Sequence, residues 1–132
     1  MKIMVAYDIV DPSQKILEIA RLYATAFNAR VNIVTCLPPS DRVRAYWEQK
    51  AAPILAEAKK FIEIEGVPCT SDSLFSGLTP GESLVDFADK HQVDQIIMAV
   101  RTKSKVEKLV FGSNAQYIIL KASCPVVSVP LP

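Results

Sequence analysis

Met98-Ala99-Val100-Arg101-Thr102-Lys103-Ser104-Lys105-Val106-Glu107-Lys108-Leu109-Val110-Phe111-Gly112-Ser113 contains the three parts whose order decides the fold. An apolar run, Ile96 to Met98, enters the stretch. Four cationic side chains (Arg101, Lys103, Lys105 and Lys108) and several hydroxyls fill its middle. A helical pattern leaves it at Gly112-Ser113. Strand, basic loop and helix start in that order form a seat for a phosphate group. Helix starts carry unpaired N–H groups and the positive end of the macrodipole. The alternative is a solvated charged loop, offset by Glu107, before an ordinary helix cap.

The rest of the chain repeats the strand-to-helix step. Ile3 to Tyr7 is continuously apolar, as suits a strand buried on both faces. Asp8 ends it, Asp11-Pro12 marks a turn, and Ser13 can cap the helix that runs from Gln14 to Asn28. Ile16, Ile19, Ala20, Tyr23 and Phe27 share that helix's inward face. Val31 to Cys36 is the second strand. A long helical region follows, with Trp47, Ala51, Ile54, Ala58 and Phe61 on one face. Pro53 inside it predicts a kink or a new helix start. Gly66 and Pro68 close that region. Pro68 to Phe75 is a strand with adjacent Thr70, Ser71, Asp72 and Ser73, too polar for the centre of a parallel sheet and therefore an edge.

Thr79-Pro80-Gly81-Glu82 is a capping-box pattern opening a helix to about His91, with Leu84, Phe87 and Ala88 inward. Gln95 to Val100 is the fourth strand. Ser113 to Ala122 is helical, with Ala115, Ile118, Ile119 and Ala122 inward. Cys124-Pro125 breaks it, and Val126 to Val129 is the fifth strand. Alternating strands and helices imply one α/β domain over residues 1–132. Its core is an open five-stranded parallel sheet with helices on both faces. With strand three at an edge and right-handed crossovers, the order is 3-2-1-4-5. Strands one and four then flank a topological switch point, and a crevice opens beyond their carboxyl ends. Asp8 and the basic loop meet there. Asp8 can accept hydrogen bonds from a ribose or an exocyclic amine, or simply close a turn.

The composition narrows the function classes. The formal net charge is +1, so nothing general argues for nucleic acid. Cys36, Cys69 and Cys124 are odd in number and widely spaced, with no zinc-ligand pattern. They read as buried thiols of a reducing, cytoplasmic setting. Met1 runs straight into a strand pattern without a leader, and no apolar run reaches the ~18 residues of a membrane span. His91 stands alone at a helix end, as a cap or surface residue. Neither a Ser-His-Asp order, nor a carboxylate pair, nor a P-loop lysine pattern stands out, so no catalytic residue is assigned.

Asp8 after strand one, Gly112-Ser113 opening the last helix and the closing Cys124-Pro125-Val126-Val127-Ser128-Val129-Pro130 resemble the universal stress protein family. The resemblance spans nearly the whole chain and implies an adenine nucleotide alpha hydrolase-like fold of order 3-2-1-4-5. It also implies a homodimer paired through strand five, at Val126, Val127, Ser128 and Val129. One branch of the family binds ATP or AMP, with Mg2+ beside ATP. Its motif is glycine, two residues, glycine, nine residues, then glycine and serine or threonine. Here Ala99 and Thr102 replace the first two glycines, while Gly112-Ser113 is intact. A Cβ at a position needing φ > 0 costs about 1–2 kcal/mol, and one at a close ligand approach clashes. Thr102 can instead offer its hydroxyl. Gly77-Leu78-Thr79-Pro80-Gly81 also departs from the family's usual run into helix three.

By resemblance, Asp8 contacts the adenosine, with Ala6 and Tyr7 beside it, and Val34 lines the adenine pocket. Met98, Ala99, Arg101, Thr102 and Asn114 complete the nucleotide site, and Gly112 and Ser113 hold phosphates. Three functions follow. The first is a regulatory protein binding ATP or AMP at the crevice between strands one and four. The second is a dimeric interaction module that has lost nucleotide binding. The third, ranked last, is a slow nucleotide hydrolase.

Overall fold

The computed structural model describes residues 1–38, 40–101 and 112–131. Among them the order of elements is β1 (Lys2–Ala6), α1 (Gln14–Phe27), β2 (Arg30–Cys36), α2 (Asp41–Glu63), β3 (Cys69–Leu74), α3 (Pro80–Lys90), β4 (Gln95–Arg101), α4 (Ser113–Lys121) and β5 (Val126–Leu131). The strands form one parallel sheet in the order β3-β2-β1-β4-β5.

Alternation of side chains along each strand explains why the central runs are apolar throughout. Ile3 and Val5 of β1, with Ile33 and Ile97, pack under α1 and α2 against Ile16, Ala20, Leu55 and Ile62. Met4, Val34, Ile96 and Met98 point the other way, under α3 and α4, against Leu84, Phe87 and Ile118. β3 is the polar edge that its composition predicts. Asn32 of β2 donates to Thr70 Oγ1 at 2.7 Å and to Asp72 Oδ2 at 2.9 Å, so the polar side chains of the edge satisfy one another.

The ends of the helices follow local chemistry. The predicted capping box forms: Thr79 accepts from Glu82 N, and Glu82 reaches back to Thr79 N. Asn28 ends α1 in the left-handed region at φ 52°, and Gly66 turns the chain after α2 at φ 83°. Pro53 starts no new helix. α2 runs unbroken from Asp41 to Glu63 with Pro53 exposed, so the proline ring lies on the solvent side. Two residues expected inward are outward: Phe27 is 53% exposed and Ile119 43%. Each lies at the margin of its helix's apolar stripe, which is narrower than the sequence suggests. The thiols are also less buried than expected, since only Cys69 is fully inside while Cys36 and Cys124 are half-buried.

Candidate functional site

The carboxyl ends of β1, β2 and β4 surround a crevice of about 410 Å3, a volume within the range of small-molecule sites. β1 and β2 remain laddered to the lip, where Tyr7 N donates to Val34 O at 2.9 Å. Tyr7 is buried beneath it. Burial first, and the Glu57 carboxylate second, push the phenol above its ordinary range, so it is protonated at neutral pH and can donate. The next residue, Asp8, is exposed. Its Oδ1 accepts from Val10 N at 2.9 Å, closing an Asx turn that fixes the carboxylate over the crevice. The turn and the lining roles of Asp8 therefore coexist.

Across the floor, β2 contributes Val34, Thr35 and Cys36. Thr35 is 2% exposed, one of two buried polar side chains in the described core. Cys36 Sγ lies 3.8 Å from Pro80 O, and burial pushes its thiol up to about 11, so it is not a thiolate nucleophile at neutral pH. From the other side come Met98, Ala99 and Arg101 of β4 and Asn114 of α4. Arg101 Nη2 lies 2.8 Å from Asp11 Oδ2 and donates to Asp11 O at 3.1 Å. The guanidinium thereby joins the end of β4 to the loop after β1, across the switch point. Asn114 is also engaged: its Oδ1 accepts from Gly81 N at 3.0 Å, capping α3 with a side chain from α4. A Cβ on Gly81 would meet Asn114 O at 3.1 Å and Tyr117 Cβ at 3.2 Å, so glycine lets the two helices close at this point.

The crevice thus unites Ala6, Tyr7, Asp8, Val34, Met98, Ala99, Arg101 and Asn114, all singled out in the sequence. Gly112 and Ser113 are not among its lining residues. Gly112 is the N-cap of α4 at φ −61°, and Ser113 is the first helical residue, both exposed at the helix start beside Asn114. Thr102, Lys103, Lys105 and Lys108 lie outside the described residues. Sequence reasoning missed Thr35, Cys36 and Asp11. The polar Thr35 within an apolar strand run was a usable signal; nothing in the sequence signalled that Asp11 pairs with a residue 90 positions away. Charge divides the crevice. Its described lining holds two carboxylates, Asp8 and Asp11, against one cation, Arg101. Asp11 takes up the charge of that one described cation.

The chain matches the model of the Universal stress protein family over residues 1–130. It is 29% identical over 133 residues to a universal stress protein of Thermus aquaticus, covering 96% of each chain. A solved universal stress protein from Archaeoglobus fulgidus superposes with a TM-score of 0.83 at 32% identity, over 98% of this chain and 93% of that one. A universal stress protein from Archaeoglobus fulgidus in complex with dAMP gives 0.80 at 30% identity, over 98% and 97%.

Proposed function

The chain belongs to the universal stress protein family, and from that premise we propose that it binds an adenine nucleotide in the crevice between β1 and β4. One observation carries the reading: the ends of β1, β2 and β4 enclose a cavity of about 410 Å3 with the turn-fixed carboxylate of Asp8 in its lining. The similar Archaeoglobus fulgidus protein in complex with dAMP supports it. In our assignment the base lies against Val34–Cys36, and Asp8 accepts from the ribose. The phosphates point toward the start of α4, where Gly112 N, Ser113 N and the Ser113 hydroxyl are available. Among the described residues no cluster of three His, Cys, Asp or Glu could hold a metal.

Calorimetry with adenosine, AMP and ATP on the full chain tests this reading. Binding that saturates below millimolar AMP and weakens in Asp8→Ala is expected. No heat at millimolar nucleotide overturns it. Phosphate release indistinguishable between the wild type and Ser113→Ala would also remove the hydrolase.

The sheet edge favours a second reading, an interaction module. β5 is terminal, with Val126 and Val127 half-buried and Ser128 exposed. A second copy pairing there would extend the sheet over Val126–Val129 and stop at Pro130, which has no N–H to offer. Sedimentation at micromolar concentration should give a dimer, and a monomer would discard this pairing. Among the described residues no helix is long and apolar enough to cross a membrane.

A further inference from the structure

The crevice does not end at β2. On its β3 side a second hollow of about 310 Å3 opens, and the two share Asp8, Cys36 and Pro80 in their linings. Beyond that threshold the walls are apolar: Ile9, Leu37, Trp47, Leu74 and Leu78. Apart from the Asp8 carboxylate at the threshold, its polar side chains are matched. The hydroxyls of Ser76 and Ser83 hydrogen-bond to each other, and Ser83 is the second of the two buried polar side chains in the described core. Such a hollow favours an apolar occupant, since no buried donor or acceptor there calls for a polar one. Val10 and Leu78 line it while 74% and 47% exposed, an apolar rim left in water.

We infer that this hollow is a subsite for an apolar substituent on the base of the bound nucleotide, so that the protein takes adenine nucleotides alkylated on the exocyclic amine. The inference rests on the adenine-nucleotide reading of the main crevice. The sheet order sets the direction. Arg101 and the start of α4 stand on the β4 side, Val34–Cys36 two strands away, and the hollow beyond them toward β3. Two strand spacings are ~10 Å, enough for a nucleoside laid across the strand ends. In adenine the exocyclic amine and the ring nitrogen that bears the ribose lie at opposite ends of the bicycle. A base seated on β2 with its ribose toward β1 therefore aims its amine at the Cys36–Pro80 threshold, where Cys36 Sγ and Pro80 O stand 3.8 Å apart and must separate to pass a substituent. A secondary amine keeps one N–H, so alkylation leaves the base a donor there.

The test compares AMP with its 6-benzylamino analogue by calorimetry on the full chain. The benzylated nucleotide should bind ~10-fold or more tightly, the scale of gain for filling an apolar pocket. Trp47, the chain's single tryptophan, should change its emission with the benzylated nucleotide and not with AMP. Leu78→Asp, at a half-exposed site, should abolish the gain and leave the affinity for AMP unchanged. AMP binding with no gain from the benzyl group overturns the subsite alone, as does a gain that survives Leu78→Asp. Failure of both ligands to bind overturns the subsite together with the crevice assignment.

Discussion

The two ends of the crevice are built by different means. At the β2 end, position comes from the sheet itself. Tyr7 N is bonded to Val34 O and Thr35 is buried within the ladder, and only Asp8 depends on a side-chain contact, accepting from Val10 N. At the β4 end, position comes from single side-chain contacts. Arg101 is held by Asp11, and Asn114 by Gly81. Ladder geometry survives loss of any one side chain, whereas a single contact does not. In the proposed assignment the first end is therefore preorganised for a nucleoside, and the second must rearrange polar groups before it can accept phosphate. The family's first glycine position, filled here by Ala99, belongs to that second end.

The largest effect should come at the preorganised end. Asp8→Ala removes both the carboxylate and the turn it closes. Adenosine and AMP should both weaken by about 10- to 100-fold, as for loss of a hydrogen bond to a charged group. Asp8→Asn keeps an oxygen for Val10 N and should fall between the two. If calorimetry shows adenosine unaffected while AMP weakens, the carboxylate serves the phosphate side and the division between the ends collapses.

Gly81→Ala tests the contact-built end. The new Cβ would press on Asn114 backbone atoms at 3.1 Å and 3.2 Å. Overpacking of this kind costs about 1–3 kcal/mol, visible as a lower thermal midpoint. α4 should also shift away from α3, so AMP should weaken more than adenosine. Equal losses for the two ligands would show that the start of α4 does not touch phosphate.

Much of the fold was legible because it depends on local pattern. Continuous apolar runs at β1 and β4 reflect two buried faces, and the polar β3 reflects an edge. Thr79 through Glu82 carries its capping box in four residues. Where the reading failed, the missing information was three-dimensional. Phe27 and Ile119 satisfy a helical period but sit beyond the width of surface that the sheet covers. Pro53 is tolerated because its ring lies on the solvent side of α2. In the site, Asp8 was visible as the residue ending a buried strand. Asp11–Arg101 and Gly81–Asn114 were not, since topology alone brings those pairs together.

The preorganised end carries its own pH signature. Burial raises the Cys36 thiol to about 11, and burial followed by Glu57 raises Tyr7. Both groups hold their protons more tightly in the folded chain than in the unfolded one. Their contribution to stability is complete below the unfolded values of about 9 and 10 and is lost as pH rises through the folded values. Urea midpoints should thus fall from about pH 9 upward. Cys36→Ala should flatten that decline by on the order of 1 kcal/mol near pH 11, allowing for the thiol's partial exposure. A parallel decline in wild type and variant would contradict the assigned burial of Cys36.

The smallest effect distinguishes the ends most directly. Asp11 neutralises the one described cation in the crevice, at 2.8 Å, with a carboxylate 63% exposed. An exposed pair of this kind is worth under about 1 kcal/mol, so Asp11→Asn should barely change stability. It should, however, release Arg101 and remove one negative charge from the path of the phosphates. Affinity for ATP should rise by about 3-fold, that for AMP by less, and that for adenosine not at all. The gain should shrink in high salt, where surface charges are screened. A uniform change across the three ligands would mean that Asp11 acts through the shape of the β1–α1 loop. A gain graded with phosphate number would identify it as the residue that holds the contact-built end in favour of the less charged nucleotide.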